Sequence, residues 1–361
     1  MIKILHIVSI DTTISNGPRF SVPALCEALN YIDEVNSCLY NITPELDSLN
    51  ELNKYSFEEI KELNTEYISQ FNLVIFHSFW YVKFIKIAKE LRRLDIPYII
   101  YPRGAFTKKA LARKWFKKAL ARKVFFNKFV KYAKAIVYLT DNEKKESKNN
   151  FIVNNNYIIP NGVNIKGLST DICVNTKNII FMGRLDPYTK GLDILLDAIL
   201  LIKDKIRSNG FVFNFYGSDF PIGGKYKLIT KINKYKINDI VNLNDPVYGN
   251  DKENILRRAG YFIAPSRFEG LPMAILDALS YGVPVFLTKE TNLLDVVQLY
   301  RCGYELKLEA QNISKVLSEV IFNRYDYAIR SRSISLVENE FSWSKIAKNS
   351  IEIYSDVINS R

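Results

Sequence analysis

The stretch FIAPSRFEGLPMAILDALSYGVP, residues 262–284, decides the fold predicted for this chain. An apolar run closed by Pro265 is typical of the end of a buried strand, and residues 273–281 predict a helix that ends at Gly282. The turn between them, residues 266–272, leads from the strand into the helix. This arrangement aims free backbone N–H groups and the positive end of the helix dipole at the turn, so we expect an anion such as phosphate to bind there.

Two acids accompany the predicted anion site. Glu269 is the only acid of the turn, and Asp277 follows eight residues later, about two turns into the helix. Carboxylates beside an anion pocket suit hydroxyl groups rather than phosphate, because like charges repel. A nucleotide sugar carries both kinds of group and would satisfy the whole arrangement. The alternative is that both residues are ordinary surface acids near a helix N-terminus.

The same residues resemble the Glu-x7-Glu region of the retaining glycosyltransferases of family four, which have the GT-B fold. The resemblance runs through residues 266–272 and continues in residues 278–284. It implies that Glu269 contacts the hydroxyls of a donor sugar. The family usually has Glu where this chain has Asp277, which is one methylene shorter. The resemblance assigns the donor diphosphate and ribose to Gly270, Leu271 and Asp277.

Two cations, Arg184 and Lys190, flank the end of a predicted strand in the second half of the chain. Arg184 follows the apolar strand 179–182, and Lys190 precedes the next helix. Two fixed positive charges at such a position can neutralise a diphosphate leaving group, and the resemblance assigns Arg184 and Lys190 that role. Either residue alone would be an ordinary surface cation. Gly183 and Tyr248 complete the predicted donor side, although a packed strand end explains Tyr248 nearly as well.

The chain begins with a predicted βα unit. Residues 2–10 form an apolar strand, and Gly17 precedes a predicted helix over residues 20–30. In the family the corresponding loop lies near the donor phosphates, which makes Gly17 a candidate donor-binding residue; a plain tight turn is the alternative. Arg19, next to this loop, is a candidate contact for a phosphate or for an acceptor anion.

Two further candidates follow predicted strands and belong to the acceptor side. His77 stands at the carboxyl end of the strand 73–76, where open α/β sheets bind ligands, so it is expected to hydrogen-bond or to shuttle a proton. A structural histidine that caps a strand is an equal alternative. Arg103 follows the strand 98–101, where many family members carry a His, and resembles a subset involved in bacterial surface polysaccharide assembly. A guanidinium stays protonated, so Arg103 is predicted to clamp a phosphate or developing negative charge.

Residues 108–134 carry eleven Lys or Arg and no acid. On a helical wheel the apolar side chains gather on one arc and most cations on the opposite arc, which is typical of a helix that lies on an anionic membrane surface. A domain helix with a solvated basic face is the alternative. Nucleic acid ranks second as a partner, because no recognisable nucleic-acid module accompanies the charge. The predicted membrane-surface residues are Lys114, Trp115, Lys117 and Lys118.

Composition limits the class of protein. The chain has 361 residues, 48% of them hydrophobic, and a formal net charge of +12, which allows two domains with their own cores and predicts a polyanionic partner. Four scattered cysteines and two histidines predict neither a disulfide framework nor a metal site. The apolar N-terminal run predicts a strand rather than an export signal, and no apolar run is long enough to span a membrane. We expect a reducing, cytoplasmic location, with peripheral association at the inner face of the plasma membrane.

The sequence therefore predicts an α/β protein of the GT-B type, with two Rossmann-like domains that face a central cleft. Residues 1–167 are predicted to bind the acceptor and residues 168–340 the nucleotide sugar. Residues 341–361 are predicted to form a helix that crosses back to the first domain.

The predicted function depends on the resemblance, which covers nearly the whole chain and is specific in the second half. It implies retaining transfer of a sugar from a UDP-sugar or GDP-sugar to a hydroxyl of a lipid-linked or polysaccharide acceptor, with no metal or other cofactor. A catalytically silent nucleotide-sugar-binding or scaffold protein of the same fold is the alternative from another class. A 2-epimerase or a glycogen-type phosphorylase is disfavoured, because there are only two histidines and no identifiable cofactor lysine.

Overall fold

The computed structural model describes residues 1–10, 18–43, 55–107, 125–147, 153, 155–167 and 173–360. The chain divides into two compact units. The first unit comprises Met1–Gly162 together with Trp343–Arg361, and the second comprises Val163–Ser342. The chain thus leaves the first unit once and returns to it for its last segment.

The first unit is built on a sheet of seven parallel strands in the order β3-β2-β1-β4-β5-β6-β7. The strands are β1 Ile2–Val8, β2 Val35–Asn41, β3 Glu58–Ile60, β4 Leu73–His77, β5 Tyr98–Tyr101, β6 Ala135–Tyr138 and β7 Asn156–Ile158. The described helices that connect them are α1 Pro18–Asn30, α2 Thr65–Ile68, α3 Val82–Arg93, α4 Asn127–Lys131 and α5 Asp141–Ser147.

The central strands of this sheet are buried on both faces, which explains their continuous apolar sequences. Every residue of β4 is buried, and β4 pairs with β1 so that Leu73 lies opposite Ile4. Successive side chains of a strand point to opposite faces. Phe76 accordingly joins an aromatic cluster with Phe79 and Phe129, whereas its neighbour Ile75 packs in the cluster on the other face.

The second unit is built on a sheet of six parallel strands in the order β10-β9-β8-β11-β12-β13. The strands are β8 Asn175–Met182, β9 Val212–Tyr216, β10 Val241–Asn244, β11 Ala259–Ala264, β12 Val285–Thr288 and β13 Gly303–Leu306. The helices are α6 Leu192–Asn209, α7 Gly224–Tyr235, α8 Gly249–Arg258, α9 Met273–Ser280, α10 Leu294–Leu299, α11 Ala310–Ile321 and α12 Ala328–Leu336.

The last helix, α13 Trp343–Asn359, belongs to the first unit and packs against α1. Its buried side chains include Ile346 and Tyr354. The hydroxyl of Tyr354 lies 2.7 Å from that of Tyr101 at the end of β5, and both tyrosines are buried. This hydrogen bond satisfies two polar groups that burial would otherwise leave without a partner.

The predicted α/β architecture of two Rossmann-like parallel sheets is confirmed. Apart from the connection between β2 and β3, which is only partly described, helices alternate with strands in each unit. Parallel sheets require this pattern, because each crossover must return the chain to the same end of the sheet. No described helix combines the length and the apolar character that crossing a bilayer requires.

Candidate functional site

The candidate site lies where the strand order of the second unit reverses. Strand β8 has β9 on one side and β11 on the other, so the connections that leave β8 and β11 run to opposite sides of the sheet. Loops diverge at such a switch point and leave a crevice at the carboxyl ends of the strands. The residues that follow β8 and β11 are Gly183, Arg184, Ser266 and Glu269.

Lys190 and Glu269 form an ion pair at this position. Lys190 Nζ lies 2.5 Å from Glu269 Oε1, and each side chain keeps only 13% of its surface exposed. Lys190 stands one residue before Gly191, which caps α6, whereas Glu269 lies in the turn before α9. The tertiary structure thus brings together two of the three predicted catalytic residues from positions 79 apart in the sequence.

Glu269 is held by one of its two carboxylate oxygens. Ser266 Oγ donates a hydrogen bond to Glu269 Oε1 at 2.8 Å, so two protein donors share that oxygen. Within the described ranges, no hydrogen bond reaches Oε2. The turn itself is fixed by Asn292 Nδ2, which donates to the carbonyls of Glu269 and Gly270, both at 2.8 Å. One carboxylate oxygen is therefore available to a ligand hydroxyl on a rigid backbone.

A close backbone approach brings Lys190 to this turn. Gly191 has a φ of +67°, and a Cβ there would lie 1.8 Å from the carbonyl oxygen of Pro265. Only glycine permits this contact. Arg267 reinforces it from outside, with Nη1 donating to Asp193 Oδ1 at 2.6 Å and to the carbonyl of Tyr188 at 2.7 Å.

Arg184 lies at the same strand end but is exposed. Its guanidinium stands over the ring of Phe220, with Cζ 5.3 Å from the ring centroid. A Cβ on the preceding Gly183 would lie 3.8 Å from Lys190 Cε, so the strand end adjoins Lys190. In the part of the chain that is described, no hydrogen bond joins Arg184 to Lys190 or Glu269. Its predicted role at the leaving group stays a prediction.

The remaining donor-side candidates surround α9. Gly270 is exposed and Leu271 half-buried in the turn that precedes this helix. Pro272 provides no side-chain cap, and its carbonyl accepts from the amides of Ile275 and Leu276. A helix start without a side-chain cap leaves backbone N–H groups for an anion.

Asp277, the second predicted acid, forms an ion pair with a lysine. Lys252 Nζ lies 2.5 Å from Asp277 Oδ2 and joins α8 to α9. Lys252 is a residue that the sequence analysis missed, because it stands 25 positions away with no motif around it. Tyr248, the predicted base-pocket residue, is exposed and immediately precedes α8.

In the first unit the structure places His77 and Arg103 in direct contact. Arg103 donates to His77 Nδ1 from Nε at 3.3 Å and from Nη2 at 3.2 Å. Its Nη1 donates to Ser21 Oγ and to Asn161 Oδ1, both at 3.0 Å. Four of the five guanidinium N–H groups thus bond to protein, and one remains for a phosphate or acceptor group.

The hydrogen bonds that Arg103 donates to His77 fix the tautomers of both histidines. Because His77 Nδ1 accepts, its Nε2 carries the proton and donates to His6 Nδ1, 2.8 Å away. His6 Nε2 then carries a proton as well, and it has no partner among the described residues. His6 is a second buried histidine whose contact with His77 the sequence analysis did not foresee.

Burial and a nearby cation favour the neutral form of both histidines. Burial, followed by the positive charge of Arg103, lowers the pKa of His6 to about 3. The same two causes, in that order, lower the pKa of His77 well below its usual value. His77 is fully buried and both its ring nitrogens are engaged, so the predicted acceptor contact or proton shuttling is not available to it in this arrangement. It holds Arg103, which matches the alternative of a structural histidine.

The other candidates of the first half are only partly described. Arg19 is half-buried in the first turn of α1, with Cζ 5.5 Å from the ring centroid of Phe20. Gly17 lies outside the described residues. So do the four predicted membrane-surface residues, Lys114, Trp115, Lys117 and Lys118.

Two Rossmann-like units of parallel sheets define the GT-B class of fold, and solved glycosyltransferase structures share it. The structure of Anabaena Alr3699/HepE in complex with UDP and glucose aligns with a TM-score of 0.75 at 14% identity, over 99% of this chain and 100% of that chain. Residues 176–321, most of the second unit, match the family described as "Glycosyl transferases group 1". The candidate site between β8 and β11 lies within this match.

Curated relatives are similar over about half of the chain. A "Glycogen synthase" of Thermodesulfovibrio yellowstonii is 27% identical over 191 residues, which are 51% of this chain and 36% of that protein. A "Capsular polysaccharide biosynthesis glycosyltransferase CapH" of Staphylococcus aureus is 26% identical over 164 residues, 45% of each. The chain spans less than half the length of these relatives.

Proposed function

We propose that this chain is a retaining glycosyltransferase of bacterial surface glycan synthesis. It moves a sugar from a UDP-sugar or GDP-sugar to a hydroxyl of a lipid-linked or polysaccharide acceptor. The observation that carries the proposal is the Lys190–Glu269 pair at the switch point of the second unit. A cation for phosphate and a carboxylate oxygen for sugar hydroxyls, side by side, match the two halves of a nucleotide sugar.

The proposed roles follow from charge. In the reaction the bond between the anomeric carbon and the β-phosphate oxygen breaks, and the departing diphosphate gains negative charge. Lys190 and Arg184 stabilise that charge, and the backbone amides of Gly270 and Leu271 hold the diphosphate near the start of α9. Glu269 Oε2 accepts a hydrogen bond from a sugar hydroxyl. These groups orient the donor without forming a covalent bond to it.

We propose a front-face displacement for the transfer itself. The acceptor hydroxyl forms the new bond to the anomeric carbon on the side that the diphosphate leaves, and its proton passes to the leaving phosphate oxygen. Arg184 and Lys190 supply the positive charge that a divalent cation would provide in other transferases, so turnover is proposed to be independent of metal. Arg103 offers its remaining N–H to an acceptor phosphate or oxygen.

The acceptor and its location are proposed from two observations. One relative is named for capsular polysaccharide biosynthesis. The first unit also presents a strongly basic surface on α3 and around α4, joined where Arg92 Cζ lies 4.7 Å from the ring of Tyr132. Its exposed cations include Lys83, Lys86, Lys89, Arg92, Arg93, Lys128, Lys131 and Lys134. Together with the predicted basic segment, this surface suits the anionic inner leaflet, and we propose peripheral binding there.

A catalytically silent nucleotide-sugar-binding protein is the less well supported alternative. The decisive experiment is a thermal-shift screen of the full chain against UDP- and GDP-sugars, followed by release of nucleoside diphosphate with membrane extract of the producing cell. Donor-dependent stabilisation with acceptor-dependent release of nucleoside diphosphate supports transfer. Stabilisation without any release would identify a binding protein.

A further inference from the structure

A groove lies along the open edge of the second sheet. Strand β10 pairs with β9 on one side, and among the described residues no strand pairs with its other side. The groove has a volume of about 350 Å³ and is lined by β10, by α7 and by the turn that connects them. Strand β10 lies two strands, or about 10 Å, across the sheet from β8. The function proposed above assigns this groove no role.

Side-chain amides make up most of its polar lining. The four asparagines of the lining are Asn233, Asn238, Asn242 and Asn244. Asn238 Nδ2 donates to Asn233 Oδ1 at 2.5 Å. Asn242 Nδ2 donates to Asn214 Oδ1 of the neighbouring strand at 3.0 Å. Each bond uses only part of an amide, which has two N–H groups and two acceptor lone pairs, so donors and acceptors remain for a ligand.

The amide of Asn244 is unused. Asn244 is the last residue of β10, and its Nδ2 is buried without a hydrogen-bond partner among the described residues. A buried amide without a partner raises the free energy of the folded chain, and this one has no bond to break when it turns toward a ligand. A hydrogen-bonding ligand at this end of the groove would satisfy it.

Charge and apolar surface define the class of that ligand. Lys225 is the one charged side chain in the described lining, and its Nζ lies 2.8 Å from Asp245 Oδ1. This pair is neutral, so the groove does not select an anion. Ile229 and Leu243, which are partly exposed, supply apolar surface. Neutral sugars combine hydroxyl groups with apolar C–H faces, and a lining of amides and apolar side chains suits both.

The edge of β10 is too short to favour a pairing strand instead. The Asn244 carbonyl accepts from the amide of Gly217 on the β9 side, so the backbone groups of Val241 and Leu243 turn outward. The amide of Val241 already donates to the carbonyl of Ile237 at 3.0 Å. Leu243 is therefore the one residue of this four-residue strand with both backbone groups open. Short edges of this kind discourage strand addition.

We propose that this groove is an accessory binding site for a neutral saccharide, a segment of the acceptor or product glycan. The amides of Asn233, Asn238 and Asn244 bond its hydroxyls, and Ile229 packs against a C–H face. Its identity as acceptor or product rests on the proposed function, whereas the binding of a neutral glycan does not. A glycan held in the unit that binds the donor raises the local concentration of acceptor hydroxyls.

The test is binding of the full chain to a microarray of neutral, carboxylated and phosphorylated bacterial glycans, with and without saturating UDP or GDP. Calorimetry with the neutral oligosaccharide that binds most strongly then gives affinities. We expect the wild type to bind neutral glycans equally with and without nucleotide, because the groove is separate from the donor site. Asn244→Leu should weaken binding about tenfold, as for one or two lost hydrogen bonds. Its midpoint of thermal unfolding should not fall, because no hydrogen bond within the protein is lost.

A second variant and a matched control test the amides further. Asn238→Ala is expected to weaken binding about fivefold. Asn323→Ala is the control, because Asn323 is also exposed and its Nδ2 also donates one hydrogen bond at 2.5 Å, to the Glu319 carbonyl. Asn323 does not line the groove, and its variant should bind as the wild type does.

Three results would overturn the site. They are a wild type that binds no neutral glycan, groove variants that bind as tightly as the wild type, and a wild-type dimer in sedimentation that Asn244→Leu dissociates. In the last case a second copy of the chain covers the edge. Neutral-glycan binding without nucleotide binding or transfer would refute the proposed function and leave the site standing, whereas transfer without such binding would refute the site alone.

Discussion

The ammonium of Lys190 lies 2.5 Å from the carboxylate of Glu269, and both side chains are largely buried. Lys190, which is proposed to contact the leaving phosphate, is therefore paired with Glu269, which is proposed to contact the sugar hydroxyls. Removing either partner leaves a partly desolvated charge, which costs more than an exposed ion pair contributes. Substitution of either residue is therefore expected to lower both the stability of this turn and the rate of sugar transfer.

The first prediction concerns this pair. Lys190→Ala should lower kcat/KM for sugar transfer by about 100-fold or more, because a positive charge at the leaving group acts mainly in the transition state. Ser266→Ala removes the other donor to Glu269 Oε1 and should cost about tenfold or less. Steady-state release of nucleoside diphosphate measures both. A smaller loss for Lys190→Ala than for Ser266→Ala would contradict the assignment.

The second prediction separates catalysis from binding at Arg184. This side chain is exposed, so Arg184→Ala should fold normally. We expect kcat to fall by about 100-fold and donor affinity by far less, since the guanidinium meets charge that develops only as the diphosphate departs. Lys315→Ala, at an exposed cation on α11, serves as the control and should leave kcat unchanged. Equal catalytic rates in Arg184→Ala and the wild type would refute the leaving-group role.

The third prediction is a pH dependence of stability from the two buried histidines. Their pKa values are lowered in the folded protein, to about 3 for His6, against 6.5 for an ordinary histidine. Between these values the unfolded chain binds more protons than the folded chain. Their contribution is therefore complete above pH 6.5 and is lost as the pH falls below it, at about 1.4 kcal/mol per pH unit for each histidine.

Urea unfolding of the wild type and of His6→Leu between pH 6.5 and 5 checks this. The variant should be less stable at neutral pH, because His77 Nε2 loses its acceptor, yet its free energy of unfolding should fall less steeply with acid. Identical slopes in the two proteins would show that His6 is not neutral in the folded state.

The fourth prediction distinguishes steric contact from backbone strain at two glycines. Gly191→Ala places a Cβ 1.8 Å from the Pro265 carbonyl and should cost more than about 3 kcal/mol of unfolding free energy. Gly223 has a similar positive φ, +87°, but no atom lies within 4 Å of a Cβ added there. Gly223→Ala should therefore cost only the backbone strain of a left-handed alanine, about 1 kcal/mol. Chemical unfolding measures the loss of unfolding free energy in both variants. Equal losses would mean that the backbone around Pro265 moves away from the added Cβ at little cost.

The sequence identified the strand–turn–helix unit around Glu269 because each of its parts has a local cause. A buried apolar run, a turn with Gly270 and a helix closed by Gly282 need no distant partner to be recognised. For the same reason the strands and helices of both sheets largely agree with the apolar patterns. The element boundaries are less local: the helix predicted over residues 20–30 begins at Pro18, and the first strand ends at Val8 rather than Ile10.

The site itself depends on contacts that no local pattern contains. His77 had a functional and a structural interpretation of equal weight, and the structure favours the second because Arg103 and His6 occupy both ring nitrogens. Asp277 was predicted without a partner being named, and it is paired with Lys252 from the neighbouring helix. Spacing along one segment cannot reveal a partner that arrives from another.

By itself, then, the sequence determined the parallel α/β design, the position of the helix start that follows the Glu269 turn and the identity of the candidate charges. These follow from apolar periodicity, turn residues and short motifs, which act within a few residues. Only the tertiary structure decided which charges meet: Lys190 with Glu269, Lys252 with Asp277, and Arg103 with two neutral histidines. Ion pairing and burial are properties of side chains that the sheet brings together from distant positions, so they exist only once the chain has folded.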